Sequence, residues 1–364
     1  MRKVLDVHLG GAHCYNIILS DTYALLCDDL KEWVGDDHSK KVCIVSDTNV
    51  ASIYLDKIRS LIEIQYPQVF SFVFEAGEQS KNLDVVQQLY EHLTINHFDR
   101  HDFLIALGGG VVGDLTGFAA ATYLRGIDFV QLPTSLLAQI DSSIGGKTGV
   151  DFLQYKNMVG AFYQPKLVYM SMEVFETLPR RQFANGMAEE LKHGLIKDRD
   201  YYLWMRDHKD AIMGKDPQTM LHMLETGCQI KKTVVEHDPT EKGERALLNF
   251  GHTIGHAIEK MSDFSLLHGE CVSIGMVAAA YLSKKHGYLS DQEFTELLQV
   301  LKDYELPVSI SGFSGADILA TTKSDKKRIG SQIKFILLHA MGDACIDLSL
   351  SDEELLEAIN FIME

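Results

Sequence analysis

ALGGGVVGDLTGFAAATYLRG, residues 106–126, is the stretch on which the fold turns. The run that leads into it, DFLIALGGG (102–110), reads as a short buried strand, and DLTGFAAATYL after Gly113 can start a helix. Gly108, Gly109, Gly110 and Gly113 stand between the two and formally satisfy GxGxxG. A strand, a glycine turn and a helix in that order put backbone amides at a helix N-terminus, where they can face a pyrophosphate. The full dinucleotide fingerprint also asks for an acidic residue about 20 positions downstream. None sits there in a clear second strand, and Asp47, ending an earlier strand, is the candidate for the ribose. A structural tight turn uses glycine in the same way, so the loop alone leaves both readings open.

Outward from this loop, KVCIVSD (41–47), FSFVF (70–74), FVQLP (129–133) and KLVYMS (166–171) read as further short buried strands. Between them lie helical patterns such as NVASIYLDKIRSLIEI and SKNLDVVQQLYEHLTI. That alternation predicts an α/β domain with a mostly parallel sheet and helical crossovers. After Pro179 the texture changes to long helical patterns, which predicts a mainly α-helical second domain. The boundary is placed near 175, with 1–175 and 176–364 as the two domains. IKFILLHAMGDACIDLSL looks strand-like, and Ser351 followed by Glu354 is a capping box for a last helix.

A chain of 364 residues, 46% hydrophobic, is long enough for two domains with substantial cores. Its net charge of −17 argues against a nucleic-acid surface, which needs concentrated Lys and Arg, so an anionic ligand must be met by a local basic cluster. Six cysteines without a CxxC pair read as free thiols of a reducing compartment. MRKVLDVHLG meets Asp6 and His8 before any apolar run, which argues against a cleavable signal peptide. The longest apolar candidate, Cys271 to Ser283, is too short to span a bilayer, so no membrane partner and a cytoplasmic location are expected.

Two further stretches carry chemistry. DSSIGGKTGVDFLQYKNMVG (141–160) combines glycines with Lys147, Lys156 and Asn157, which suits a loop gripping an oxyanion, although a flexible surface loop has the same composition. Its glycine spacing rejects a Walker A loop. NFGHTIGHAIEK (249–260) sets His252 and His256 four apart, and Thr253 stands where a metalloprotease helix has its Glu. On a helical wheel Arg245, Asn249, His252, His256 and Glu259 share one stripe opposite Phe250, Ile254, Ala257, Ile258 and Met261. A solvated helix face gives the same wheel. A catalytic metal needs a third protein ligand, for which His268, Glu189, Glu190 and His193 are all available, and spacing alone does not choose among them.

Taken in order, GGGVVGDLTGFAAATYLRG, LPTSLLAQIDSSIGGKTGVD, KNMVGAFYQP, LPRRQFANGMAEELKHG, LLNFGHTIGHAIE and LHGECVSIGM resemble the 3-dehydroquinate synthase family of sugar phosphate cyclases, over roughly residues 40 to 340. The resemblance implies a Rossmann-like NAD domain, a helical metal- and substrate-binding domain with the active site in the cleft between them, and a homodimer. It implies one divalent metal, zinc or cobalt, held by Glu189, His252 and His268. NAD contacts would fall on Asp47; on Ala76, Gly77, Glu78, Gln79, Ser80 and Lys81; and on Gly109, Gly110, Val111, Val112, Gly113 and Asp114. Thr134, Ser135, Asp141, Lys147 and Lys156 would continue them, and Val174, Phe175, Glu176 and Thr177 would close that site. Substrate contacts would be Asp141, Lys147, Asn157, Lys192, Lys231, Arg245, Asn249, His256 and Lys326 or Lys327, with Arg125 reaching the substrate of the neighbouring subunit. Of these, His256, Lys192, Asn249, Arg245 and Asp141 form the implied catalytic set. Ser135 stands where Thr is common, and Glu190 where an apolar residue is usual.

The reaction so implied converts 3-deoxy-D-arabino-heptulosonate 7-phosphate, a small sugar phosphate, into 3-dehydroquinate and phosphate in the shikimate pathway. NAD removes hydride from a ring carbinol, the ketone acidifies the adjacent C–H so that phosphate can leave, and the hydride returns before ring opening and aldol closure. Another cyclase whose substrate lacks a carboxylate is an alternative, against which Lys231, Arg245 and Asn249 argue together. A metal-dependent polyol dehydrogenase is a second, but it would not need Lys147, Lys156 and Asn157. A catalytically silent binding protein is a third, opposed by the complete metal and basic sets.

Overall fold

The computed structural model describes residues 1–153, 155–263, 265–326 and 334–363. The chain divides into two compact units, Met1–Leu178 with Met220–Pro239, and Pro179–Thr219 with Thr240–Glu364. This differs from a single boundary at 175, because a segment from the helical half belongs to the first unit.

The first unit holds β1 (Arg2–Leu9), β2 (Ala12–Ser20), β3 (Lys41–Asp47), β4 (Gln68–Phe74), β5 (Phe103–Gly108), β6 (Asp128–Pro133), β7 (Lys147–Phe152), β8 (Tyr155–Phe162) and β9 (Leu167–Ser171). Its helices are α1 (Leu26–Val34), α2 (Thr48–Ile62), α3 (Leu83–Ile95), α4 (Gly110–Thr122) and α5 (Val174–Thr177). Seven strands form one sheet in the order β1-β2-β9-β6-β5-β3-β4. All neighbours are parallel except β1 against β2. Every residue of β5 is buried, as expected of a central strand covered on both faces.

From β3 the chain runs to β4 on one side and returns to β5 on the other, so the ends of β3 and β5 border a topological switch point. In such sheets ligands bind outside the carboxyl ends of the strands at that place.

Two features were not read in the sequence. β1 and β2 form a hairpin turned by Gly10 and Gly11, both at positive φ, as a tight two-residue turn requires. The stretch 141–160, read as a loop, contains the β7–β8 hairpin, preceded by a π-helical turn at Ala138–Ser142.

The second unit is built from α6 (Arg180–Lys197), α7 (Arg199–Asp207) and α8 (Lys209–Met213), and after α9 (Pro217–His237) from α10 (His252–Met261), α11 (His268–Lys285), α12 (Asp291–Asp303), α13 (Gly315–Lys326) and α14 (Asp352–Phe361). Most of α9 packs with the first unit. The strand-like pattern near 340 folds as the hairpin of β10 (Phe335–Ala340) and β11 (Asp343–Asp347). The capping box is formed as read, with Ser351 Oγ accepting from the Glu354 amide at 3.2 Å and the Glu354 carboxylate accepting from the Ser351 amide at 2.9 Å.

The crossing of α10 and α11 is close because glycines line it. A Cβ on Gly275 would lie 1.9 Å from the Gly251 carbonyl oxygen, and one on Gly255 would lie 2.9 Å from that of Cys271. The α11 N-terminus is seated on α6 by the Gly269 amide, which donates to Asn185 Oδ1 at 2.6 Å.

Candidate active site

The glycine turn of the first unit is shaped by contact. A Cβ on Gly108 would lie 2.4 Å from Val112 Cγ2, and one on Gly113 would lie 2.9 Å from Gln131 Oε1, so these glycines let α4 sit directly on the sheet. Gly109 is the N-cap of α4. The Thr134 amide donates to the Gly108 carbonyl at 2.9 Å, and the Gly109 Cβ position is 3.7 Å from Ser135 Oγ, so the ends of β5 and β6 bring 108–113 and 134–135 together. Asp47 ends β3, beside the turn, where its Oδ1 caps α2 by accepting from the Asn49 and Val50 amides at 2.9 Å each.

The segment Ala76–Lys81 contributes a buried cation. Lys81, 5% exposed, pairs with Asp114 Oδ2 at 2.6 Å and donates to Asn157 Oδ1 at 2.6 Å. Burial opposes its charge, but Asp114 and Glu78 outweigh burial and raise the Lys81 ammonium above its ordinary value. Lys156 lies 3.5 Å from Glu78. The structure thus joins Glu78, Lys81, Asp114, Lys156 and Asn157 into one polar group. Lys147 is exposed at the start of β7.

Asp141 lies in the π-helical turn, where its carboxylate and carbonyl both accept from the Lys231 ammonium, delivered by α9. Val174 and Phe175 of α5 are buried, Glu176 and Thr177 are exposed, and Thr177 Oγ1 meets the Tyr54 hydroxyl at 2.5 Å. Arg125 is exposed, and it and Leu124 both take left-handed backbone, with φ 66° and 51°. Consecutive non-glycine residues in that region mark stored strain.

In the second unit, the starts of α10 and α11 bring His252 and His268 to Glu189 of α6. His252 Nε2 is 3.4 Å and His268 Nε2 is 3.6 Å from Glu189 Oε1. The other imidazole nitrogens are held from behind: His252 Nδ1 is 3.1 Å from the Phe250 carbonyl oxygen, and His268 Nδ1 is 3.4 Å from Glu259 Oε2. A carbonyl only accepts, so His252 Nδ1 carries the proton and Nε2 turns a lone pair toward the carboxylate. Glu189 is fully buried, and its Oε1 has no hydrogen-bond partner among the described residues, while its Oε2 accepts from Lys192. A buried carboxylate oxygen facing an imidazole lone pair is repulsive unless a proton or cation lies between them.

The electrostatics agree with that geometry. Burial, then Lys192, holds the His252 imidazole well below its ordinary value, so it is neutral. Burial opposes ionisation of Glu189, yet Lys192, His252 and His268 keep its carboxyl well below the usual range. His268 is raised to about 10, because Glu189 and Glu259 outweigh burial. The donor set, one carboxylate and two imidazoles backed by a carbonyl and a second carboxylate, suits a divalent metal such as zinc. His256 is exposed, and His252, His256 and His268 can also converge, so three imidazoles form a second possible set.

Several expectations need correction here. Arg245 and Asn249 do not share a helix with His252, because they lie on a 3₁₀ turn, Glu244–Asn249, and Gly251 at φ 80° separates that turn from α10. Glu259, read as part of the polar stripe, is buried behind His268, a role that sequence reasoning missed because the pair forms only once α10 and α11 cross. Arg245 is 2% exposed, and Asn249 Nδ2 donates to Glu241 Oε1 at 2.8 Å. Glu190 is fully buried 3.4 Å from His193, and burial raises its carboxyl. The side chain of Lys326, at the end of α13, and all of Lys327 lie outside the described residues.

Both halves of the chain match known proteins. Residues 71–185 match the family 3-dehydroquinate synthase N-terminal, and residues 186–328 match 3-dehydroquinate synthase C-terminal. The 3-dehydroquinate synthase of Acetivibrio thermocellus is 43% identical, covering 98% of each chain, and that of Ruminiclostridium cellulolyticum is 43% identical over 88% of this chain and 89% of its own. Among solved structures, ValA, a 2-epi-5-epi-valiolone synthase from Streptomyces hygroscopicus with NAD+ and Zn2+ bound, is 27% identical with a TM-score of 0.87 over 96% of each chain. The switch-point turn and the Glu189 cluster therefore lie in a chain that belongs, across both of its matched segments, to the 3-dehydroquinate synthase family.

Proposed function

We propose that this enzyme converts 3-deoxy-D-arabino-heptulosonate 7-phosphate into 3-dehydroquinate and phosphate, with no net redox change. The observation that carries the reading is the buried Glu189 Oε1, without a hydrogen-bond partner among the described residues and faced by the Nε2 atoms of His252 and His268. It favours Glu189, His252 and His268 over the three-imidazole set as the holders of one divalent metal, because the imidazole set leaves that buried oxygen uncompensated.

NAD would be held at the switch point by Asp47, residues 76–81, the 109–114 turn and Thr134–Ser135, and would supply a hydride acceptor that is restored within each turnover. The metal would supply Lewis acidity toward substrate hydroxyls. The ValA structure, a relative with NAD+ and Zn2+ bound, supports NAD and a divalent metal as the groups bound.

The chain's own groups divide the remaining work. Lys147 and Lys156 would offset the charge of the leaving phosphate, Asn157 would donate to it, and Arg125 would reach the phosphate bound by the neighbouring subunit. Arg245, buried, would suit a planar carboxylate bidentately. His256, exposed one turn beyond His252, holds or relays a proton at a substrate oxygen. Lys192 and Lys231, each paired with a carboxylate, fix Glu189 and Asp141 and can donate to substrate oxygens. The expected assembly is a homodimer in the cytoplasm, and among the described residues no helix is long and apolar enough to cross a membrane.

The test is to mix purified protein with the heptulosonate phosphate, NAD and zinc, and to follow phosphate release together with NADH absorbance. Phosphate release without net NADH is expected. No release under metal-replete conditions, or stoichiometric NADH build-up, rejects the reading.

A further inference from the structure

We propose that Asp151 is a positioning residue that aims Asn157 at an oxyanion of the substrate, a role that rests on the function proposed above. Asp151 lies in β7 and Asn157 in β8, on either side of the hairpin turn. The Asn157 amide donates to Asp151 Oδ1 at 2.7 Å, and the Asp151 amide donates to the Lys81 carbonyl at 2.8 Å. Lys81 Nζ donates to Asn157 Oδ1 at 2.6 Å and closes the circuit. Three residues from three separate segments are thereby tied into one ring of hydrogen bonds.

The ring decides what Asn157 can offer. Its backbone is left-handed, with φ 51°, inside a strand, a conformation asparagine tolerates better than most residues but that breaks the regular strand geometry. The Asp151 carboxylate selects it by holding the Asn157 amide. A carboxamide has an acceptor edge and a donor edge, and a lysine ammonium only donates, so the Asn157 oxygen is committed to Lys81. The edge presented to a ligand is then the Nδ2 donor pair. Asp151, without touching substrate, thus fixes the backbone from which Asn157 reaches Lys81, and the donor edge so left beside Lys156 suits phosphate-like oxygens.

A double-mutant cycle on the NAD- and zinc-loaded enzyme tests this, with kcat and KM measured for wild type, Asp151→Ala, Asn157→Ala and the double variant. Asp151→Ala is expected to raise KM about tenfold, near the worth of one net hydrogen bond, with a smaller change in kcat. The double variant should be no worse than Asn157→Ala, because Asp151 acts only through it. Asp151→Asn keeps an oxygen acceptor and should stay within about twofold of wild type. Additive losses in the cycle, or an Asp151→Asn loss equal to that of Asp151→Ala, overturn the proposal. Calorimetric titration with inorganic phosphate repeats the comparison without turnover. Weaker phosphate binding in Asp151→Ala but not in Asp151→Asn supports the positioning role even if the heptulosonate phosphate is not turned over, a result that rejects the functional reading alone. Equal phosphate binding in wild type and Asp151→Ala rejects the positioning role alone.

Discussion

His252 presents Nε2 to Glu189 Oε1 at 3.4 Å because its Nδ1 is committed to the Phe250 carbonyl at 3.1 Å. A neutral imidazole so oriented is a ready metal ligand. His252→Ala should leave the dialysed protein nearly free of zinc by elemental analysis, and Glu189→Ala should do the same. His256→Ala should retain about one zinc per chain while kcat falls on the order of a hundredfold or more. Loss of zinc in His256→Ala with retention in Glu189→Ala would instead establish the three-imidazole set.

Glu259 holds the far nitrogen of His268 from behind. Its replacement by Gln keeps the shape and removes the charge that steadies this ring. Zinc affinity, measured by competition with a chelator, should weaken roughly tenfold to a hundredfold in Glu259→Gln.

Gly108 and Val112 are in contact that leaves no room for a methyl group. Gly108→Ala would set its Cβ 2.4 Å from Val112 Cγ2, a clash expected to cost about 1–3 kcal/mol by denaturant unfolding and to weaken NAD binding. Val112→Ala in the same chain should recover part of both losses. Failure of the second change to help would place the strain elsewhere in the turn.

Lys231 and Asp141 meet through a helix and a π-helical turn that lie ninety positions apart in the chain. Lys231→Met keeps the bulk and removes the charge. Because the Asp141 side chain retains 26% exposure, the loss should stay near 1–3 kcal/mol rather than the larger cost of a fully buried pair. Adding Asp141→Asn should restore some of the unfolding midpoint.

Acid should act partly through helix caps. The Glu293 carboxyl is held below its ordinary value by the Ser290 amide and hydroxyl, and that of Glu354 chiefly by the Ser351 amide. A carboxyl depressed on folding contributes stability that is fully present above the unfolded value, near about 4.3, and is lost as pH falls through the lower folded value. Urea midpoints should therefore drop below about pH 4, and a Glu293→Gln, Glu354→Gln double variant should show a shallower drop.

Legibility in the sequence followed the range of the interactions. The strand, turn and helix at 102–122 and the capping box at Ser351 are local, and both form, although the helix begins at Gly110 rather than after Gly113 because the glycines let its first turn sit against the sheet. The β1–β2 hairpin carries a local signal too, Gly10 and Gly11 at its turn, although the strands it joins are short of distinctive pattern. Arg245 and Asn249 were misplaced because a wheel assumes one unbroken helix, whereas Gly251 takes a left-handed conformation before His252. Glu259 behind His268, Lys231 beside Asp141, and the circuit through Lys81, Asp151 and Asn157 depend on tertiary pairing that no window of sequence contains.

The chain passes between its two units at 178/179, 219/220 and 239/240, so neither unit is a continuous segment. During synthesis the strands of the large sheet are all made by Ser171, yet Lys231, which neutralises Asp141 in that unit, is added only after α6, α7 and α8. The nascent first unit therefore waits for its last helix while much of its neighbour is already being produced. A break at Leu178 would leave the first unit without the Met220–Pro239 segment that completes it.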